Sequence, residues 1–146
     1  MSNLAQRNST RNQSTADIEF KRLFIFDNRF KEGVFRNTTA AVLNLLPYSL
    51  VARSTTVANG LIPVTPANLA DAIGITANDQ SIDAIPVNGN VNINIGTKGT
   101  IEGNFINLPA TVTLNTVVGN KTLKDVLEAI GFHIEENATE NTKYDN

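Results

Sequence analysis

Residues 87–97, with the sequence VNGNVNINIGT, alternate between apolar and polar side chains over their second half. Val91, Ile93 and Ile95 would lie on one face of a β-strand, and the asparagines between them would lie on the other. A helix would scatter the same apolar side chains around its circumference. The segment therefore predicts a strand with one buried face and one face covered by amides.

Further segments of strand length follow along most of the chain: KRLFIFDNRF, PYSLVARSTTV, LIPV, TIEGNFINL, ATVTLNTVV and FHIEE. Asn59 and Gly60 predict a tight hairpin, since both central residues of a type I′ turn need positive φ. Pro63 cannot donate a ladder hydrogen bond, which predicts that its strand lies at an edge or a bulge. The glycine-rich segment NGNVNINIGTKGTIEG, residues 88–103, is typical of hairpin turns and lacks the order of a phosphate-binding loop, because Lys98 precedes Gly99.

Two short helices are predicted between these strands. In TPANLADAIG, Thr65 is the expected N-cap and Gly74 the expected stop. In NKTLKDVLEAIG, Thr122 and Asp125 form a capping-box pair, and Gly131 ends the helix. The pattern as a whole predicts a mainly β fold with two short helices, a compact β-sandwich or β-tulip-like single domain.

Polar segments flank this domain, which we assign to residues 20–136. Residues 1–19 form an extended N-terminal arm, and residues 137–146 form a polar C-terminal tail. The arm has too few apolar side chains to offset the entropy of ordering it alone. We therefore expect it to act as an attachment element that binds a partner.

The residue types needed for catalysis are scarce. The chain has no cysteine and one histidine, His133, which excludes disulfides, thiolate chemistry and cysteine-type zinc sites. Asp79 and Asp83 do not have the spacing of a calcium loop. We therefore predict a protein that is not an enzyme and has no catalytic residue, cofactor or metal site.

The net charge of -2 gives no overall attraction to nucleic acid or to an anionic membrane, and we predict neither partner. The best signal for nucleic acid is the mixture of phenylalanines and basic residues in residues 21–36, which is also typical of a base-stacking strand. Phenylalanines at this density more often belong to a core or to a protein interface. Since no secretory signal or membrane span is found in the sequence, we expect synthesis in the cytoplasm.

Four motifs follow one another along the chain in this order: LLPYSLVARSTTVANGLIPV, DAIGIT, VNGNVNINI and LKDVLEAIGFHIE. This order resembles the head decoration proteins of tailed bacteriophages, the lambda-type capsid-stabilising trimers. The resemblance covers about residues 45–136. The phenylalanine-rich segment and the long polar arm exceed the family's pattern, which leaves the mode of attachment open.

The resemblance implies a non-enzymatic virion structural protein, made in the host cytoplasm and located on the capsid exterior. Its partners would be the major capsid protein and itself, as a homotrimer. The residues expected at these interfaces are Leu4, Arg7, Arg11, Ile18, Phe20, Phe24 and Phe26. The alternative is a binding module of a head fibre or tail adaptor, which recognises a host glycan or tethers another virion protein.

Overall fold

A computed structural model describes residues 23–136. This part of the chain is a mainly β single domain, as predicted, with one α-helix instead of two. The strands are β1 Phe24–Arg36, β2 Leu43–Leu45, β3 Leu50–Arg53, β4 Gly60–Pro63, β5 Ala72–Thr76, β6 Ile82–Ile85, β7 Asn90–Glu102, β8 Val117–Val118, β9 Lys121–Thr122 and β10 Phe132–Glu135. The helix, α1, is Leu123–Ile130, and short 3-10 helices occur at Leu69–Asp71 and Gly103–Phe105.

The main sheet closes on itself in the order β1-β4-β3-β5-β7-β1, and β10 pairs with the second half of β7 on the same side as β5. β7 pairs antiparallel with β1 and β5 and parallel with β10. β1 completes the ring through a short parallel pairing with Gly60 and Leu61 of β4. The predicted sandwich is therefore a closed, barrel-like sheet.

The alternation in residues 90–95 is confirmed. Ile93 and Ile95 are buried, Val91 is partly buried, and the asparagines beside them are exposed. A turn forms before the strand, where Gly89 N donates to the Pro86 carbonyl at 2.8 Å, but the strand does not turn at Gly96 or Gly99, so the prediction of hairpin turns is wrong at those two glycines. β7 continues to Glu102 because β10 and β1 pair with this second half, and Gly99 adopts a positive φ of 110° within it.

The first predicted helix is wrong. Only Leu69–Asp71 coils, and the segment AIGIT forms β5. β5 is paired on both sides, since Ile75 lies opposite Leu50 of β3 and also opposite Gly96 of β7. Two ladders of backbone hydrogen bonds outweigh a weak local preference for helix, which spans only a few tenths of a kcal/mol per residue.

The second predicted helix is confirmed together with its ends. The Asp125 backbone N–H donates to Thr122 Oγ1 at 3.3 Å, and the Thr122 N–H donates to Asp125 Oδ2 at 3.0 Å. Gly131 ends the helix with a φ of 124°, a conformation that side chains disfavour. Hydrogen bonds to the Asp125 carboxylate, first from the Thr122 backbone N–H and then from the Thr122 side chain, lower the pKa of Asp125 from its ordinary value of 3.8.

The hairpin between β3 and β4 exists, but its loop is longer than predicted. Asn59 has a φ of 59°, whereas Gly60 is already the first residue of β4. The turn is closed instead by a hydrogen bond from Ser54 N to the Gly60 carbonyl, 2.9 Å long. β4 is not an edge strand, although its pairing with β1 ends before Pro63 is reached.

Two further strand predictions are only partly correct. TIEGNFINL contributes its first residues to β7 and then coils at Gly103–Phe105. Of ATVTLNTVV, only Val117–Val118 is extended, because the residues before it form a turn held by a bond from Thr113 N to Thr116 Oγ1 at 2.8 Å. The strand FHIEE is confirmed as β10.

Buried side chains form two clusters. One includes side chains of α1, β5 and β10, with Leu127 and Ile75 fully buried in it. The other joins Phe35 of β1 to side chains of β3, β4 and β7 and to the small β2–β6 ladder. Residues 23–136 include no helix with the length and apolar character that crossing a bilayer requires.

Candidate interaction surface

Only two of the predicted interface residues fall within the described part of the chain. Phe24 and Phe26 lie at the start of β1. The others lie outside the described residues: Leu4, Arg7, Arg11, Ile18 and Phe20. β1 is therefore the part of the predicted interface that the structure describes.

Phe24 is a half-buried anchor. A Cβ atom placed on Gly96 would come within 2.3 Å of Phe24 Cε1, so the ring lies directly over this glycine. Phe24 also makes edge-to-face contacts with Phe30, at 5.0 Å between ring centroids, and with Tyr48, at 6.0 Å. Its ring is held on the barrel by these contacts and holds the start of β1 against β7.

Three apolar side chains beside this anchor face solvent, and we call them the β1 apolar group: Ile25, Phe26 and Phe30. They are 42%, 69% and 52% exposed. Ile25 and Phe26 are exposed together at a register shift of β1, where the usual alternation of strand faces is interrupted. The exposed group exceeds the scattered single residues normal for a protein surface.

β1 is irregular where this group lies. The pairing with β7 shifts register at three places between Phe24 and Phe30, and Asp27 has a φ of 54°. The Asn28 amide bridges the irregularity by donating to the Thr100 carbonyl at 3.1 Å. β-Bulges of this kind redirect side chains and are common at edges and binding sites.

The outer edge of β1 is open along its first part. Among residues 23–136, the only strand on that side is β4, which pairs with Val34 and Phe35 alone. Within residues 23–136, the backbone between Phe24 and Gly33 has no strand partner on that side, so a strand of another chain can be added there. Charges of both signs, from Asp27 and Arg29 for example, lie along it.

Both ends of the described chain meet at the same place. The Glu102 N–H donates to the Leu23 carbonyl at 2.8 Å, and Glu135 pairs with Glu102 from the other side of β7. The two ends of the described chain therefore lie on either side of β7. The β1 apolar group begins two residues after Leu23.

Of the residues weighed for chemistry, His133 lies across β7 from Phe26, since both are opposite Thr100. His133 is exposed, as its position in β10 predicts, and its Nε2 lies 3.0 Å from Glu135 Oε2. Asp83 accepts a hydrogen bond from Ser81. Within residues 23–136 no three histidine, aspartate or glutamate side chains come together in a group that could hold a metal ion.

A second feature is a cleft that the sequence did not predict. It has a volume of about 570 Å³ and lies where three loops converge: the turn before β3, the loop after β5 and the segment after β7. We call it the Tyr48 cleft. Its lining residues are Pro47, Tyr48, Asp79, Gln80, Asn104, Phe105, Ile106 and Asn107.

The Tyr48 cleft has a firmly held rim. Tyr48 has a φ of 58°, a conformation that costs a bulky residue about 1–3 kcal/mol unless its surroundings impose it. Asn107 imposes this conformation. Its backbone N–H donates to the Tyr48 carbonyl at 2.9 Å, and its side-chain amide donates to the Pro47 carbonyl. Thr76 fixes the next residue, since its Oγ1 accepts from Ser49 N at 2.9 Å.

Comparison with known proteins adds no relative: no family model matches the chain, and no curated protein is similar to it at the level that marks a relative. The structure defines a β-rich barrel domain with an exposed apolar strand. A proposal for its function must therefore rest on that strand, on the cleft and on the motifs in the sequence.

Proposed function

We propose that this chain is an auxiliary protein of a virion, which binds the outside of a phage capsid and stabilises the shell through contacts with the major capsid protein. It is made in the host cytoplasm, carries out no reaction and contributes free energy of association. In this proposal the barrel corresponds to the β-tulip-like domain of the decoration proteins that the sequence motifs resemble.

The observation that supports the proposal best is the β1 apolar group. Ile25, Phe26 and Phe30 are exposed on a strand with an open edge, beside the point where both polar terminal segments join the barrel. Burying an aromatic side chain stabilises an interface by about 1.5–3 kcal/mol. The open backbone edge adds hydrogen bonds, and the irregular pairing turns side chains outward.

We propose further that three copies act together. A homotrimer places three arms and three β1 strands over one capsid site, and each bound copy raises the effective concentration of the next. Weak contacts by each copy then add up to lasting attachment. In this arrangement Leu4, Arg7, Arg11, Ile18 and Phe20 contact the shell, and Phe26 contacts the shell or a neighbouring subunit.

A sedimentation assay tests the proposal with particles that lack the protein. Phe26→Ser should lower the affinity for particles at least tenfold, because a tenfold loss needs only about 1.4 kcal/mol. Val117→Ser is the matched control, since Val117 is 73% exposed on β8 and lies outside the β1 apolar group. Both variants should keep the wild-type melting temperature.

A deletion of residues 1–17 separates the arm from the strand. We expect the shortened chain to melt near the wild-type temperature and to bind particles at least tenfold more weakly. Full-strength binding by both the deletion and Phe26→Ser would refute this attachment mode. Failure of the wild-type protein to sediment with particles would refute the function itself.

A further inference from the structure

The open edge of β1 and the sequence just before it point to a contact between copies of this chain. We propose that residues 16–20 of one copy, which we call the ADIEF segment, bind as an added strand along β1 of another copy. This inference goes beyond the proposed function, which leaves the contact between copies unspecified, and it holds with or without a capsid.

The receiving edge is the part of β1 that precedes Val34. Among residues 23–136, β7 pairs with one side of this part and no strand pairs with the other. From Phe30 onward the pairing with β7 is regular, so the side chains alternate between two faces. Lys31 lies on one face, and Phe30 and Glu32 lie on the other. A strand added here extends a regular ladder.

Positive charge is concentrated at this edge. Arg29 lies directly opposite Lys98 of β7, and Lys31 follows two residues later. All three side chains are exposed, and none is in an ion pair within residues 23–136, although Asp27 and Glu32 belong to the same strand. Like charges that lie opposite each other destabilise a pair of strands. The arrangement therefore favours a partner that supplies carboxylates.

The ADIEF segment supplies carboxylates in the alternating pattern of a strand. Its apolar side chains are Ala16, Ile18 and Phe20, and Asp17 and Glu19 lie between them. When this segment is extended, its carboxylates point to one face and its apolar side chains to the other. It therefore offers a charged face and an apolar face to the strand beside it.

Both faces of the segment match β1 at the same time. When the carboxylates lie on the face of Lys31, the apolar side chains lie on the face of Phe30, which is 52% exposed. Opposite charges and apolar pairs across neighbouring strands both stabilise a sheet. The reverse orientation would place the carboxylates beside Phe30 and Glu32, so the charges also select which face the segment presents.

The segment of the same chain does not reach this position. Leu23 is fully buried and its carbonyl accepts from Glu102 N at 2.8 Å, which anchors the chain three residues after the segment. To fold back onto its own β1, the chain would reverse at residues 21–22, a lysine and an arginine, which disfavour the positive φ of a tight hairpin turn. Even that turn would place Phe20 beside Leu23, and the segment would end before Lys31. A second copy meets no such limit.

Sedimentation equilibrium of the full chain, without particles, tests the inference by charge reversal. The segment variant carries Asp17→Lys and Glu19→Lys, and the β1 variant carries Arg29→Glu and Lys31→Glu. The wild-type chain should form oligomers, and each variant should associate at least about tenfold more weakly. A chain with all four substitutions should associate within about threefold of wild type, because its facing charges are again opposite.

Mixing the two variants separates a contact between copies from a contact within one chain. In the mixture, each ADIEF segment meets the opposite charge only on the other variant, so the mixture should associate more tightly than either variant alone. Lys121→Glu is the matched control, because Lys121 is exposed on β9, which does not pair with β1. It should associate like wild type, and all variants should keep the wild-type melting temperature.

Three results overturn the inference. One is a wild-type chain that stays monomeric at about 1 mM. Another is a four-substitution chain that associates as weakly as the two-substitution variants. The third is recovery in the four-substitution chain but not in the mixture, which marks a contact within one chain. Since no particles are present, this contact and the proposed function can fail separately: a monomeric chain that still sediments with particles keeps the function and loses the contact.

Discussion

Replacing Asn37 tests how the barrel is held at the end of β1. The side chain of Asn37 is fully buried. Its amide nitrogen donates to the carbonyls of Ala41 and Ile85, both at 2.9 Å, and its oxygen accepts from Thr39 N at 2.9 Å and from Thr39 Oγ1 at 2.6 Å. This one amide joins the turn after β1 to the strand β6.

Asn37→Ala leaves the Ile85 carbonyl and the Thr39 N–H without this partner, whereas the Ala41 carbonyl still accepts from Thr39 Oγ1 at 2.8 Å. Each group left unpaired lowers the free energy of unfolding by about 1 kcal/mol, so the sum is about 2 kcal/mol. In a domain of this size such a loss lowers the melting temperature by about 10 °C. Thr38→Ala is the control, since Thr38 is exposed beside it and should change stability by less than about 0.5 kcal/mol.

Asn37→Asp separates the hydrogen bonds from the packing. The carboxylate has nearly the same shape but faces two carbonyl oxygens, so the pKa of the new carboxyl should lie above its unfolded value. The penalty is then largest above that raised pKa and shrinks as the pH falls, because a protonated carboxyl can donate. Urea unfolding at about pH 7 and about pH 4 measures this. An Asn37→Ala variant within about 0.5 kcal/mol of wild type, or an Asn37→Asp penalty that grows at low pH, would refute the reasoning.

Two further predictions concern the ring anchor and the helix cap. Gly96→Ala places a methyl group 2.3 Å from the Phe24 ring and should lower the free energy of unfolding by about 2 kcal/mol, measured in urea; wild-type stability would contradict the contact. The lowered pKa of Asp125 means that its contribution to α1 is complete above its ordinary pKa of 3.8 and is lost as the pH falls through the lower folded value. Circular dichroism below about pH 4 should show this loss in wild type and not in Asp125→Asn; equal pH profiles would count against the cap.

Local signals predicted the elements whose reason for forming is local. The alternation of Ile93 and Ile95 with asparagines produced a half-buried strand, and the Thr122–Asp125 pair produced a capped helix. Residues 65–74 have equally good N-cap and C-terminal signals for a helix, yet their last part belongs to β5. Its partners in β3 and β7 are distant in sequence, and no window around Gly74 contains them.

Contacts between residues distant in sequence also explain which features of the β1 apolar group and of the Tyr48 cleft could not be predicted. Phe26 was predicted as an interface residue from a strand apolar on both faces, and it is exposed, whereas the position of Phe24 depends on Gly96, a residue far along the chain. The Tyr48 cleft arises from three loops and has no motif of its own. A Pro-Tyr turn and a polar Asn-Asp-Gln turn were its only traces in the sequence.

The barrel closes between its first and seventh strands, so the order of synthesis matters. β1 meets its long partner β7 only after five other strands have left the ribosome. At roughly 5–20 residues per second, that interval lasts on the order of several seconds. During that interval β1 lacks its backbone pairing with β7, and its apolar side chains are exposed. The charges that oppose aggregation lie between them, at Asp27, Arg29 and Lys31. We therefore expect a chaperone to bind the nascent chain mainly before β7 has left the ribosome.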